Sequence, residues 1–289
     1  MILVTGATGT IGSEIVRQLV KRAVPVRAVT RDPERARTPE GAEVVHGDYK
    51  DAASMAAAMT GIESAFLVGV LGPEDADTDR ALVASARTAG VRRIVKLSAI
   101  GTGDADLGRV GTWHLPGEQA ARESGLEWTV LRPSTFASNT LSWSEPVRAG
   151  LPVPNLTGEG AQGVIDPRDV AAVAVEALLS ATHSGHTYTL TGPELLTAAD
   201  QAAALAAALG HPIEVVDVPE KQAREHMLAA GMSAEYIDGA LAGQAYVRAG
   251  RNAIRTDDVR TVLGRPPRTY ADWAAAHIDA FRRAPEAVG

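Results

Sequence analysis

Three glycines at the spacing GxxGxxG, Gly6, Gly9 and Gly12, stand between the apolar run Met1–Val4 and a helical pattern carried by Ile11, Ile15, Val16 and Leu19. A strand that passes into a helix through such glycines suits a phosphate. Gly6 permits the tight turn, Gly9 lets the backbone approach a pyrophosphate, and Gly12 lets the helix pack closely on the strand. The backbone N–H groups around Thr8, Thr10 and Ile11 then point at the anion, with the helix dipole behind them. The spacing differs from the GxGxxG of many dehydrogenases, but strand, turn and helix follow in the order a dinucleotide site needs.

Such a site selects its cofactor at the end of the second strand. An acidic residue there bonds the adenosine ribose 2′-OH and repels a 2′-phosphate, whereas an arginine attracts the phosphate. Here Thr30-Arg31-Asp32-Pro33 occupies that point, followed by Arg35 and Arg37. Arg31, with Arg35 as a second contact, predicts NADPH/NADP+ in preference to NADH. Asp32 facing the ribose instead would admit NADH. Asp48, after His46-Gly47, is placed either to contact the adenine amino group or to serve a local turn.

Composition narrows the function classes. The sequence holds 28 Lys+Arg against 35 Asp+Glu, a formal net charge of −7, which argues against nucleic acid or an anionic membrane surface as partner. There is no cysteine, so disulfides and thiolate chemistry are excluded. His183, His186, His211, His226 and His277 show no metal-ligand spacing, so no metal is expected. Neither H-E-x-x-H nor G-x-S-x-G occurs. No stretch reaches the ~20 apolar residues of a membrane span, and the first strand starts without a leader-like segment. A cytoplasmic protein is expected.

The elements that must carry these residues alternate. Strands are expected at Val24–Thr30, Glu43–His46, Ser64–Val70, Arg93–Ser98 and Trp128–Arg132, with helices at Asp51–Met59, Asp75–Ala89 and Trp113–Ser124 between them. Strands alternating with helices imply a Rossmann-type doubly wound parallel sheet, whose ligands lie beyond the carboxyl ends of the strands. That adds Gly69, Ser98 and Pro133 to Phe136 to the candidate cofactor residues. From about Ser134 the pattern changes. Leu151–Pro154 reads as extended, Gly163–Asp166 as a short strand and Pro167–Ser180 as a helix. Thr187–Leu190 and Ile213–Val218 read as strands, Ala198–Leu209 as a helix, Lys221–Ala249 as mostly helical and Tyr270–Phe281 as a final helix. The expected organisation is a dinucleotide-binding domain over 1–133, to which 160–192 returns, and a smaller, mainly helical lobe from 134–159 and 193–289.

At this level of detail the chain resembles the NmrA-like family of atypical short-chain dehydrogenases/reductases. The matching residues are Val4-Thr5-Gly6-Ala7-Thr8-Gly9, Thr30-Arg31, Gly47-Asp48, Trp128 to Pro133, Phe136 with Asn139, Ile165-Asp166-Pro167-Arg168-Asp169-Val170-Ala171, Leu190 to Pro193, and Gly264 to Arg268. The resemblance implies NAD(P)H binding. Reductases of this superfamily generally carry a Tyr-x-x-x-Lys pair after the fifth strand, the lysine lowering the tyrosine pKa from about 10 so that the phenol exchanges a proton with the carbonyl oxygen. Here Val110 falls in the tyrosine slot and His114 in the lysine slot, so the pair is absent.

That absence constrains the reaction. Hydride delivered to a simple ketone yields a basic alkoxide that needs a proton donor, whereas a quinone or conjugated aromatic carbonyl yields a delocalised anion that water can protonate. His114, an imidazole that can donate near neutral pH, and Ser98, which could bond a substrate oxygen, are the candidate catalytic residues. Phe136, Asn139 and Trp143 are expected nearest the substrate. The leading expectation is an NADPH-dependent oxidoreductase acting on a small organic acceptor, as a monomer or homodimer. Its rivals are a non-catalytic NADP(H) sensor and a cofactor-dependent isomerase or cyclase of natural-product assembly.

Overall fold

The structure is a computed structural model that describes residues 1–69 and 76–282. Among these residues nine strands form: β1 (Ile2–Val4), β2 (Val26–Thr30), β3 (Glu43–His46), β4 (Ser64–Leu67), β5 (Arg93–Leu97), β6 (Glu127–Pro133), β7 (Val153–Asn155), β8 (His186–Leu190) and β9 (Val215–Asp217). Seven of them make one sheet in the order β3-β2-β1-β4-β5-β6-β8. Every neighbouring pair in it is parallel. Short apolar runs suit this arrangement because a parallel sheet is covered on both faces. All residues of β1, β4 and β5 are buried.

The chain runs outward from β1 through β2 to β3, then returns to the other side of β1 as β4, so strand order reverses between β1 and β4. In doubly wound sheets the ligand crevice opens at this switch point. Val4 pairs with Phe66, so the two strands end side by side.

Helices α1 (Thr10–Lys21), α2 (Ala52–Met59), α3 (Ala76–Thr88), α4 (Leu115–Glu123) and α6 (Pro167–Leu179) cover the sheet, with α5 (Ser144–Ala149) lying between α4 and α6 in the chain. Met55 and Met59 of α2, Leu82 of α3 and Ala121 of α4 pack with Leu3, Leu67 and Ile94 into one core. Ile15, Val16 and Leu19 give α1 its buried stripe. Nearly all of Val170–Leu178 is buried, so α6 is apolar around most of its circumference.

The chain divides into two compact units. One comprises Met1–Pro133, Pro167–Leu190 and Asp257–Arg265, the last segment holding α10 (Asp258–Leu263). The other comprises Ser134–Asp166, Thr191–Thr256 and the chain from Pro266 onward. Three segments therefore lie elsewhere than expected, the shortest being residues 191–192, which belong with the second unit. Residues 160–166 belong with the second unit, and Asp257–Arg265 belongs with the first, where Arg265 bonds Asp169 at 2.7 Å and Asp258 accepts the Thr189 N–H at 2.7 Å.

The second unit contains α5, α7 (Ala198–Leu209) and α11 (Tyr270–Ala276) around a core that includes Leu205, Tyr270 and Trp273, and α8 (Glu220–Ala229) and α9 (Ala234–Arg248), which form a separate cluster through Ala223, Ile237 and Leu241. It also holds a small parallel sheet. β7, from the extended Leu151–Pro154 region, pairs with β9. Gly163–Asp166 makes no strand, only an isolated bridge of Ile165 to Phe136. The final helix is shorter than expected, passing at His277 into a 3-10 turn. Val70 and Asp75, at the ends of an expected strand and helix, lie outside the described residues. Among the described residues no helix is long and apolar enough to cross a membrane.

Candidate functional site

The glycine turn begins one residue after β1. Gly6 has φ +59°, a left-handed conformation that a side chain would strain. Gly9 donates its N–H to the Gly6 carbonyl at 2.9 Å and forms the N-cap of α1. A Cβ at Gly12 would lie 2.1 Å from the Gly6 carbonyl oxygen, which explains why the third position has no side chain. No side chain caps α1 and no acidic residue stands in its first turn, so the helix start meets an anion without competition. Thr8 and Thr10 are exposed beside it, while Ile11 is buried. These features fit the pyrophosphate of a dinucleotide.

Two side chains fix this turn. Thr5 Oγ1 accepts the Val68 N–H at 2.8 Å and donates to the Phe66 carbonyl at 3.0 Å, joining the ends of β1 and β4. Tyr49 Oη accepts the Gly6 N–H at 2.7 Å. Burial pushes the Tyr49 phenol above its ordinary pKa, partly opposed by Thr5, Gly6 and Arg31.

At the end of β2, Arg31 is exposed. Asp32 caps a 3-10 turn over Pro33–Arg35, accepting the Arg35 N–H at 3.3 Å, and pairs with the Arg35 guanidinium at 3.4 Å. Asp32 is thus engaged with its own turn. Arg35 is bound to Asp32 and its side chain is 90% exposed. Arg37 instead lines a recess of about 230 Å³ with Ala7, Ser13 and Arg17. Asp48 serves a turn, with Oδ1 accepting the Lys50 N–H at 2.9 Å.

Beyond β4 and β5 lies a network of buried charge. Gly69 donates its N–H to Asp79 Oδ1 at 2.8 Å. The Asp79 Oδ2 atom sits 2.6 Å from Lys96 Nζ, and both side chains are 0% exposed. Lys96 also donates to the Leu97 carbonyl. His114, N-cap of α4, brings its Nδ1 to 3.8 Å from Asp79 Oδ2, where that nitrogen is buried without a hydrogen bond. Burial pushes the Asp79 carboxyl up, but Lys96 and then His114 outweigh it and hold it below the usual range. Burial lowers the His114 pKa; Asp79 opposes that and Lys96 reinforces it. The imidazole is therefore mainly neutral at pH 7.

Glu118 forms a second centre. Its buried carboxylate receives both arms of Arg132, at 2.8 and 2.7 Å, together with Arg122 at 2.8 Å and the Ser98 hydroxyl at 2.6 Å. Burial raises its pKa, but Arg132 and Ser98 more than compensate and keep it ionised. The expected substrate bond from Ser98 is thereby displaced, because its proton is given to Glu118 inside the protein. Pro133 ends β6, its carbonyl accepting the Ile100 N–H at 3.0 Å.

Val110 and His114 are not successive turns of one helix. Val110 lies in a 3-10 segment, Ala105–Thr112, kinked at Gly108, and α4 starts only at Leu115. Pro116 sits in the first turn of α4, where its missing N–H costs no helical bond. Phe136, Asn139 and Trp143 belong to the second unit, around its 3-10 segment Ala137–Trp143. Asn139 is exposed, and Trp143 packs on that unit's core. Sequence reasoning missed Tyr49, Asp79 and Lys96. A lone lysine inside the apolar run Arg93–Leu97 was the available signal.

Comparison with known proteins places this geometry. A family described as NAD(P)H-binding matches residues 6–181. An NAD(P)H azoreductase of Xenophilus azovorans is 38% identical over 97% of this chain and 99% of its own. A (4-alkanoyl-5-oxo-2,5-dihydrofuran-3-yl)methyl phosphate reductase of Streptomyces griseus is 41% identical over 99% of this chain and 100% of its own. The crystal structure of an NADPH-dependent quinone oxidoreductase of Escherichia coli complexed with NADPH superimposes with a TM-score of 0.83 at 25% identity, over 96% of this chain and 99% of that one. The chain therefore belongs to the NAD(P)H-binding family and is an NAD(P)H-dependent oxidoreductase.

Proposed function

We propose that this chain uses NADPH to reduce a conjugated small organic acceptor, a quinone or an aromatic carbonyl compound. The observation that carries this reading is the missing Tyr-x-x-x-Lys pair: Val110 and His114 occupy its two positions in the sequence, and the His114 imidazole is mainly neutral. When bound, the cofactor supplies a hydride. The glycine turn and the start of α1 hold the pyrophosphate, and Arg31, which pairs with no carboxylate among the described residues, meets the 2′-phosphate. His114 is the group placed to return a proton to the reduced acceptor. Because its imidazolium is scarce at neutral pH, the reaction favours acceptors whose reduced anions are delocalised and weakly basic.

The relatives support this, since azo, oxo-dihydrofuran and quinone groups are all conjugated acceptors. The test is NADPH oxidation with a panel of quinones, azo dyes, enones and simple ketones. Turnover with the conjugated compounds is expected, and turnover confined to simple ketones would overturn the acceptor class.

A further inference from the structure

We propose that the buried Asp79–Lys96 pair is a positioning device: Asp79 holds the Gly69 lip of the crevice through one carboxylate oxygen and orients the His114 imidazole through the other, with Lys96 fixing the carboxylate between them. The inference rests on His114 as the proton donor of the proposed reaction.

The geometry carries it. Asp79 comes from α3, Lys96 from β5, His114 from the start of α4 and Gly69 from the end of β4, so one carboxylate ties together four segments at the carboxyl ends of the strands. Gly69 stands beside the strand-order switch, on the lip opposite the glycine turn. Room for the pair is built into α4. A Cβ at Gly117 would lie 2.5 Å from Asp79 Cβ and 2.8 Å from Lys96 Cε. A fully buried ion pair is an inefficient source of stability, since well-packed apolar residues often do as well or better. What it supplies here is direction.

With Asp79 facing Nδ1, the imidazole is held with Nδ1–H toward the carboxylate, as a carboxylate orients a catalytic histidine elsewhere. Since Nδ1 is buried, the side chain's remaining 16% exposure belongs to its other atoms. The separation of 3.8 Å is longer than a hydrogen bond, as such pairs often are before a site is filled. The charged groups acting on His114 are Asp79 from α3, Lys96 from β5 and Glu118 from its own helix; the two carboxylates favour the imidazolium and the ammonium disfavours it.

That opposition gives a test that a merely structural pair would fail. The His114 imidazole is titrated by NMR in the full chain, its signal assigned by loss in His114→Asn. Asp79→Asn is expected to move the titration to lower pH and Lys96→Met to move it to higher pH. The alkaline limb of quinone turnover, where the imidazolium donor is lost, should move in the same two directions. Movement in one common direction, or none, overturns the proposal.

Each single variant strands a buried charge, so the double variant Asp79→Asn/Lys96→Met provides a second measurement. It is expected to fold, to lose about tenfold in kcat with the acceptor KM little changed, and to bind NADPH several-fold more weakly as the Gly69 lip loosens. A double variant with wild-type kcat and NADPH affinity also overturns the proposal. If the wild type oxidises NADPH with no acceptor, the functional reading fails. The NMR titration then still decides whether Asp79 and Lys96 govern His114.

Discussion

Arg31 is exposed at the end of β2, and its proposed role rests on residue type and position. The end of the second strand is where a 2′-phosphate is read, and a guanidinium offers it two parallel charge-assisted bonds. Arg31→Ala is expected to weaken NADPH binding by roughly 10- to 100-fold, the equivalent of one or two such bonds, and to leave NADH within about twofold. Fluorescence titration with both cofactors measures this, and equal losses for both would remove Arg31 from the 2′-phosphate. Other residues were not legible in this way. Asp48 and Ser98 have suitable types at strand ends, but their directions are fixed by partners, the Lys50 N–H and the Glu118 carboxylate. Asp79 and Lys96 were harder still, because nothing local in the sequence announces that a carboxylate on α3 will meet an ammonium on β5. Type and position can be read from sequence, whereas side-chain direction is a property of the packed molecule.

The same division holds for elements. Helix α7 was legible to its last residue because its ends are chemically marked: Thr197 and Asp200 form a capping box and Gly210 closes the helix in a left-handed conformation. Strand ends have no such markers. Val24–Thr30 shortened to Val26–Thr30, and Gly163–Asp166 became a single bridge, since pairing depends on a neighbour far away in the chain. The β7–β9 pair escaped notice for that reason. Helix α1 makes the sharpest prediction at this scale. Alanine at Gly12 would force a methyl group against the Gly6 carbonyl, backbone against backbone, with no flexible side chain to yield. Gly12→Ala is expected to cost about 1–3 kcal/mol of stability and to weaken NADPH binding, because the helix must lift away from the turn. Urea unfolding and NADPH titration read both effects. Unchanged stability and affinity would mean that the close approach is not needed.

For the whole molecule, the crevice at the β1/β4 reversal lies within one of the two compact units. A ligand that binds only the folded state stabilises by RT ln(1 + [L]/Kd), about 2.7 kcal/mol at a hundredfold excess over Kd. Calorimetry with NADPH at that excess should therefore show an upward displacement of a thermal transition by several degrees, and no displacement would argue against a preformed cofactor site. The doubly wound sheet was legible from alternating strands and helices, and a return of the chain to the first unit was expected over 160–192, where Pro167–Leu190 makes it; the second return, Asp257–Arg265, was not, because it depends on partners far away in the chain, Asp169 and Thr189. The chain passes from one unit to the other at 133/134, 166/167, 190/191, 256/257 and 265/266. No single recombination junction can exchange the second unit for a relative's, since any one crossover carries fragments of both. Genes of this design are poor substrates for module shuffling, so new specificity in such a lineage has to accumulate by substitution in place, and a laboratory chimera has to be assembled from several grafts at once.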